Sequence, residues 1–381
     1  MKIPLSKPYI DENALQLIAE SLSSEKLSGN GIFGKKAEQL LQTIIGSFFV
    51  MLSTSCSHAL EMSIEALEPS HRQRKEIILP SFTFTSTANA IIRNGYTPVF
   101  ADIDPLTMNI SPESISRLVS SKTLAIIAVH YAGVSVDFTS LFRSKLTTIP
   151  IIEDAAQALG ATYNGIPLGS LGITGCISFH DTKNIGCGEG GAIFTNDEEI
   201  SRRVEIIREK GTNRSQFLRG EVDKYTWVRS GSSYILAEPL AAFLLANLNG
   251  ISKVIEARKT IYNHYIEQLQ QLENTGVLQL PMIPFFAQSN YHLFHIFLPT
   301  TDLRDSLMKF LRDRGIGATF HYVPLHSSPM GLSLGWKQSD CPITENCSSR
   351  LLRLPLYHSL EKKEQDFIIE CIYDWSKIMK T

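Results

Sequence analysis

Between about Phe48 and Asn196 the chain alternates short, wholly apolar runs with helix-like stretches. The runs are FFVML, EIILP, TPVFADI, TLAIIAVH, TIPIIED, GCISF and GGAIF. Because they lack the every-other-residue polarity of a half-exposed strand, each reads as a strand buried on both faces. That predicts a mostly parallel sheet covered by helices, an α/β architecture. Ser57 to Leu67 and Phe138 to Leu146 are candidate crossover helices, and such connections are right-handed. After Pro239 a helical stretch runs through LAAFLLANLNGISKVIEARKTIYNHYIEQLQQL, long enough to bridge two domains. Beyond it come a strand (YHLFHIFL), a helix (Arg304 to Arg314), a strand (GATFHYV) and an amphipathic helix whose Phe367, Ile368, Cys371, Ile372 and Trp375 share one stripe. The expected division is a large domain over residues 1–250, including the N-terminal segment, and a small α+β domain over 251–381. A length of 381 residues also favours two domains over one core.

Charge narrows the choice of partner. Lys and Arg number 36 against 38 Asp and Glu, which leaves no basic footprint for nucleic acid and points to a small molecule. Cys56, Cys176, Cys187, Cys341, Cys347 and Cys371 are scattered with no CxxC pair, against both a zinc site and a disulfide framework. Reduced thiols in the cytoplasm are the expectation. No window reaches the roughly 18 apolar residues of a membrane span, and the N-terminus has no signal-peptide core, so neither a membrane partner nor secretion is expected.

The segment IPIIEDAAQALGA puts Asp154 at the carboxyl end of a buried strand, the edge where open parallel sheets bind ligands. Gln157 is expected at the start of a helix, and alone the two also read as an N-cap and its capping-box partner. Lys183, in SFHDTKNIGCGEGGAIF, is held on a short connection between two strands. A lone loop lysine is ordinarily solvated, but an acid at a strand end with an amine confined nearby is what a pyridine-ring cofactor needs. The acid keeps the ring nitrogen protonated, and the amine condenses with the aldehyde. Gly186, Gly188 and Gly191 satisfy GxGxxG, yet they lead into a strand, not a helix, so a dinucleotide site is rejected.

STSCSHALEM opens a helix at Thr54 to Ser57, whose free amides suit a phosphate, although plain capping by Thr54 or Ser55 accounts for the same residues. Phe82 or Phe84, in PSFTFTSTANA, could stack on a ring, where aromatics beside a sheet are otherwise core. His130, His180 and His321 lie near strand ends, where structural hydrogen bonding is the ordinary role of a histidine.

Together SCSHALEM, PSFTFTSTANA, DIDPLTMNISPE, VHYAG, IEDAAQALGA, SFHDTKN, GEGGA, HYVPLH and LLRLPLY, in this order, resemble the DegT/DnrJ/EryC1/StrS family of sugar aminotransferases. The match spans nearly the whole chain. More narrowly, REKGTNRSQFLRGEVDKYTW followed by GSSY is similar to the dTDP-4-amino-4,6-dideoxygalactose transaminases of enterobacterial common antigen synthesis. The resemblance implies a fold of the aspartate aminotransferase type (fold type I), pyridoxal 5'-phosphate as cofactor, L-glutamate as amino donor and a homodimer with a shared active site. It implies that Lys183 binds the cofactor covalently, that Asp154 faces the pyridine nitrogen, that Gln157 lies beside the ring hydroxyl and that Phe84 stacks on the ring. Cys56, Ser57 and Ser178 fall at phosphate positions, the first commonly Gly and the second Thr. Ser233 stands where many members carry an Asn that reaches the partner's phosphate. AEPLAA replaces the usual SDLQAA, placing Pro239 in a first helical turn, where proline is tolerated.

The reaction this implies is amino transfer from glutamate to carbon 4 of dTDP-4-keto-6-deoxy-D-glucose, with Lys183 moving the proton. Two other readings stand beside it. A 3-aminotransferase would act on the 3-keto isomer, and a non-catalytic regulator that binds the cofactor or a nucleotide sugar would need neither acid nor amine; family members that perform 3-dehydration carry His at the Schiff-base position, and Lys183 speaks against that. Candidate sugar contacts are Asn30 in SGNGIFGKK, His180, His321, Tyr322 and His326.

Overall fold

The computed structural model describes residues 2–67, 74–143 and 148–379. Its strands are β1 (Phe49–Ser53), β2 (Glu76–Pro80), β3 (Thr97–Ala101), β4 (Thr123–Val129), β5 (Ile151–Asp154), β6 (Thr162–Tyr163), β7 (Ile166–Pro167), β8 (Thr174–Ser178), β9 (Gly191–Thr195), β10 (Ala287–Gln288), β11 (Phe294–Phe297) and β12 (Leu351–Leu354). Among the described residues seven of these form one sheet in the order β1-β9-β8-β5-β4-β2-β3. β2, β3, β4, β5 and β8 run parallel, and β9 is antiparallel to both of its neighbours. All seven apolar runs expected to be strands are strands of this sheet, almost wholly buried. The carboxyl ends of six strands therefore open on one edge.

Apolar clusters cover both faces. One joins Phe33, Leu41, Ile78, Ile126, Ile151 and Leu244; the other joins Leu60, Ile64, Ile91, Ile127, Ile193 and Val204. The helices Cys56–Ala66, Thr85–Arg93 and Glu198–Arg208 lie on the second face. The expected helix Phe138 to Leu146 is described as Phe138–Arg143, and 144–147 lie outside the described residues. A further cluster unites Tyr265, Phe294, Ile296, Leu354, Ile368, Ile372 and Trp375 with Ile3, which bridges Ile316 from the far end of the chain. Among the described residues no single helix is long and apolar enough to cross a membrane.

Two expectations are corrected. The long helix after Pro239 is two helices, Glu238–Asn249 and Ile251–Asn274, bent by 58° at Gly250. The Tyr9 ring packs so tightly on Gly250 that a Cβ there would collide with its hydroxyl. GATFHYV is not a strand: Thr319 makes an isolated bridge to Arg353, and the chain then leaves sheet geometry. The reason is that its hydrogen bonds go elsewhere. Gly317 N donates to Ile3 O (2.7 Å), and Tyr322 O accepts from Ser348 Oγ (2.6 Å); just beyond the segment, Leu325 N donates to Ser81 O (3.0 Å).

Glu153 locks the centre of the sheet. It is 0 % exposed and accepts from Gly169 N (2.8 Å), Leu171 N (2.6 Å), Gly172 N (2.6 Å) and His130 Nε2 (2.9 Å). Glu153→Ala strands these donors in the interior. The expected cost is about 3 kcal/mol or more, read as a lowered urea midpoint.

Candidate active site

Asp154 is the last residue of β5, and β8, its parallel neighbour, leads into Lys183. The acid and the amine thus leave adjacent strand ends on the same edge of the sheet. Asp154 is 5 % exposed. Its Oδ2 accepts from Thr87 Oγ1 (2.8 Å) and its Oδ1 from Ala156 N (3.2 Å). Burial holds its carboxyl above the usual carboxylate range, while the Thr87 and Ala156 bonds and the Lys183 charge pull the other way. Burial also lowers the pKa of Lys183; Cys56 and Asp154 raise it, and Arg353 adds to the depression.

The loop carrying Lys183 is built by backbone hydrogen bonds. Lys183 N donates to His180 O (2.9 Å), Asp181 N to Gly188 O (3.1 Å) and Cys187 N to Phe179 O (2.8 Å). Gly188 has φ +90°, a conformation in which a side chain is strained. Gly191 opens β9, with Ser53 and Ser178 opposite it on either side. A Cβ on Gly191 would collide with the Cys56 amide, so the missing side chain lets the helix Cys56–Ala66 approach end-on. That helix is capped by Ser55, whose Oγ accepts from His58 N (3.1 Å), and its first amides have no partner within the helix. Ser57 Oγ donates to Ser86 Oγ (2.6 Å), and Ser178 is 8 % exposed. The glycine motif leads into a strand, which removes the helix a dinucleotide fingerprint requires.

Gln157 is not in a helix, as the sequence suggested, but in a turn closed by Ala158 N to Ala155 O (2.8 Å). The helix fails because Gly160 takes φ +81° and the chain turns directly into the β6–β7 hairpin. Gln157 Oε1 accepts from Ala132 N (2.7 Å), and its Nε2 donates to Tyr322 Oη (2.9 Å). Phe82 is core at 0 %, whereas Phe84 is 59 % exposed and lies 6.3 Å from the Tyr322 ring.

The histidines divide by surroundings. His130 is buried against Glu153. His326 is 0 % exposed, with Nδ1 on Ser81 Oγ (2.6 Å) and Nε2 on Gln338 O (3.2 Å), so it is turned to the interior and not to the edge. His180 sits on the lysine loop beside Thr182 (2.9 Å). His321 joins Tyr131 Oη through Nδ1 (3.1 Å) and Arg353 Nη1 through Nε2 (3.2 Å). Burial keeps His321 well below its usual pKa, hence neutral. A guanidinium only donates, so Nε2 is the acceptor and Nδ1 carries the proton toward Tyr131. The hydrogen of the Tyr131 hydroxyl is then free to donate elsewhere.

Asn30 is tied by Nδ2 to Glu209 Oε1 (2.6 Å) and by Oδ1 to Arg208 Nη2 (2.6 Å). Ser233 is exposed and bridges Glu209; no described contact joins it to Ser57 or Ser178. Sequence reasoning missed Arg353 and His295, on strands β12 and β11. LLRL is too short to announce a strand, and LLRLPLY carried the only signal.

The sequence profile of the DegT/DnrJ/EryC1/StrS aminotransferase family matches residues 8–373. The chain belongs to that family. It is a sugar aminotransferase dependent on pyridoxal phosphate. Two curated relatives are the spore coat polysaccharide biosynthesis protein SpsC of Bacillus subtilis, 31 % identical over 98 % of this chain and 96 % of that one, and a pleiotropic regulatory protein of Geobacillus stearothermophilus, 36 % identical over 79 % and 78 %. Among solved structures, the aminotransferase TlmJ from Streptoalloteichus hindustanus covers 100 % of both chains with a TM-score of 0.90 at 25 % identity.

The residues present fit the cofactor. A buried carboxyl held above its usual range calls for a cationic hydrogen-bond donor, such as a protonated ring nitrogen. An amine with a lowered pKa suits condensation with an aldehyde, and the end-on helix suits a phosphate.

Since burial penalises the charged form of Asp154, its ionisation costs stability above pH about 3.9, the ordinary carboxylate value. That cost is absent at lower pH and grows until the raised folded pKa is passed. Asp154→Asn removes it. At pH 7 the cofactor-free variant should melt no lower than the parent, while its dissociation constant for pyridoxal phosphate rises about tenfold or more. A variant that binds the cofactor as tightly as the parent would show that Asp154 does not face the ring.

Proposed function

We propose that this chain moves the amino group of L-glutamate to carbon 4 of a dTDP-4-keto-6-deoxyhexose, converting dTDP-4-keto-6-deoxy-D-glucose to dTDP-4-amino-4,6-dideoxy-D-galactose. The observation that carries the amino transfer is the pairing of buried Asp154 with half-buried Lys183 beyond adjacent strand ends. The choice of sugar rests on the likeness of residues 208–227 to the narrower transaminase group.

Pyridoxal phosphate, when bound, supplies an electron sink that weakens the carbon–hydrogen bond beside the transferred nitrogen. Lys183 is the residue that holds it. With a lowered pKa, its amine can take the proton from the donor carbon and return it. Asp154 would keep the ring nitrogen protonated, Gln157 would serve the ring hydroxyl and Phe84 would cover the ring. Ser57, Ser178 and the amide of Cys56 would hold the phosphate. Of the candidate sugar contacts Asn30, His180, His321, Tyr322 and His326, we retain His321 and Tyr322, whose side chains gather with Tyr131 and Gln157.

We propose further that two copies pair, with Ser233 serving the other copy's phosphate and with Gly250 as the domain boundary within each. Leu218 (64 %), Tyr225 (56 %) and Trp227 (77 %) are exposed together on one segment, an apolar surface of the kind an interface covers. Light scattering should give twice the chain mass, and Trp227→Asp should shift it toward one.

The function is tested by incubating the purified protein with L-glutamate and dTDP-4-keto-6-deoxyglucose and assigning the amino sugar by NMR. Nitrogen at carbon 4 in the galacto configuration is expected; nitrogen at carbon 3 would establish the alternative regiochemistry. Lys183→Ala should lower turnover by about 10³-fold or more, as loss of both covalent holding and proton transfer demands.

A further inference from the structure

β11 and β12 form a two-stranded antiparallel sheet whose side chains alternate between faces. Phe294, Ile296, Leu352 and Leu354 enter the C-terminal core. Phe297 and Leu351 point the other way, into a cluster with Phe82 and Tyr131 at the edge of the large sheet. His295 and Arg353 stand directly opposite each other in register, on this second face. Two polar side chains in the middle of an apolar face are costly unless something satisfies them.

Among the described residues nothing does so fully. His295 is 5 % exposed and neither ring nitrogen has a hydrogen-bond partner; the buried Nε of Arg353 has none either. Burial pushes the pKa of His295 down to about 3, so it is a neutral ring and offers Arg353 no charge. The bond from Arg353 Nη1 to His321 Nε2, at 3.2 Å, goes to another neutral ring. Arg353 as a whole is half-buried, and the fully buried arginines are better served: Arg208 meets Glu38 (3.1 Å), Arg304 meets Asp305 (2.6 Å), and Arg258 donates to the carbonyls of Tyr291 and His292. Among the described residues no carboxylate lies within ion-pair distance of Arg353. A guanidinium stays charged in any setting and presents a fork shaped for a carboxylate. This one is close enough to Lys183 for its charge to act on that amine.

We infer that Arg353 is the docking point for the α-carboxylate of the amino donor, gripped through both arms of the guanidinium with His295 beside it. The inference rests on the aminotransferase reading above. Position decides between the two anionic substrates. In glutamate the carboxylate is bonded to the very carbon that reacts beside Lys183. In a nucleotide sugar the diphosphate hangs from carbon 1, several bonds from the ketone. A cation near Lys183 therefore matches the donor. The long bond to neutral His321 keeps the guanidinium partly satisfied when the uncharged end of a sugar takes the donor's place.

The test uses the cofactor-loaded protein and its Arg353→Met and Arg353→Lys variants. Calorimetry reads the dissociation constant for glutarate, a dicarboxylate that binds without reacting. Stopped-flow absorbance then reads each half-reaction alone: L-glutamate with the aldehyde form, and dTDP-4-keto-6-deoxyglucose with the amine form. Arg353→Met should weaken glutarate about 30-fold or more, as loss of a charge-assisted hydrogen bond implies. It should slow the glutamate half-reaction to a similar degree and change the sugar half-reaction less than about 3-fold. Arg353→Lys should recover part of the loss, having the charge but not the fork. Equal losses in both half-reactions would mean a structural role and overturn the assignment. A loss confined to the sugar half-reaction would hand Arg353 to the diphosphate and overturn it equally. If the parent binds glutarate through Arg353 yet glutamate brings no change in absorbance, the aminotransferase reading fails and the carboxylate site stands.

Discussion

The central strand β5 ends in two consecutive carboxyl groups with opposite fates, and the site depends on the difference. Pleating sends Glu153 and Asp154 to opposite sides. Glu153 is saturated by three amides and an imidazole from the chain itself. Asp154 has two donors and spare capacity in a place where water is scarce. The first acid therefore acts as a structural pin. Through His130, whose backbone amide donates to Asp154 O (3.1 Å), it also steadies the second. A carboxyl left under-satisfied in the interior is a standing demand for a cation, and the surrounding elements are arranged so that one kind of ligand meets it.

Those elements work by close backbone approach. Without a side chain at Gly191, the helix Cys56–Ala66 abuts the strand that returns from the lysine loop, so a helix end, an amine and an acid face one volume from three segments. On the other side, Tyr131, Gln157, His321 and Tyr322 interlock through hydrogen bonds that span 190 residues of chain from Tyr131 to His321 and 165 from Gln157 to Tyr322. Groups fixed before substrate arrives need no reorganisation during the reaction, which is how a sugar aminotransferase of this family can use few side chains to effect.

The large sheet was legible in the sequence because a strand buried on both faces has no polar alternation to obscure it; all seven runs appear in it. The position of Asp154 and Lys183 beyond adjacent strand ends was legible because each follows directly on an apolar run. What failed was local. Gln157 looked helical because Ala-Ala-Gln-Ala-Leu has high helix propensity, and Gly160 with the hairpin behind it overrode that preference. GATFHYV has strand composition, but its backbone partners include Ile3 and the Ser348 hydroxyl, which no local pattern encodes. Arg353 was invisible for a related reason. In a four-residue strand an arginine reads as an exposed edge, and its neutral surroundings come from His295 and His321, 58 and 32 residues away in the chain.

The clasp between Ile3 and the C-terminal core sets an order of events during synthesis. Ile3 N donates to Gly315 O (2.9 Å), and Gly317 N returns a bond to Ile3 O (2.7 Å). A ribosome must add more than three hundred residues before either partner exists. Until then a fully apolar anchor waits outside any core, while the parallel sheet already has its strands. Contacts of such long sequence separation form late and slowly. The finished enzyme thus closes by joining Ile3 to the segment at Gly315 and Gly317, and the interval before that closure is when the nascent chain has most need of protection from self-association.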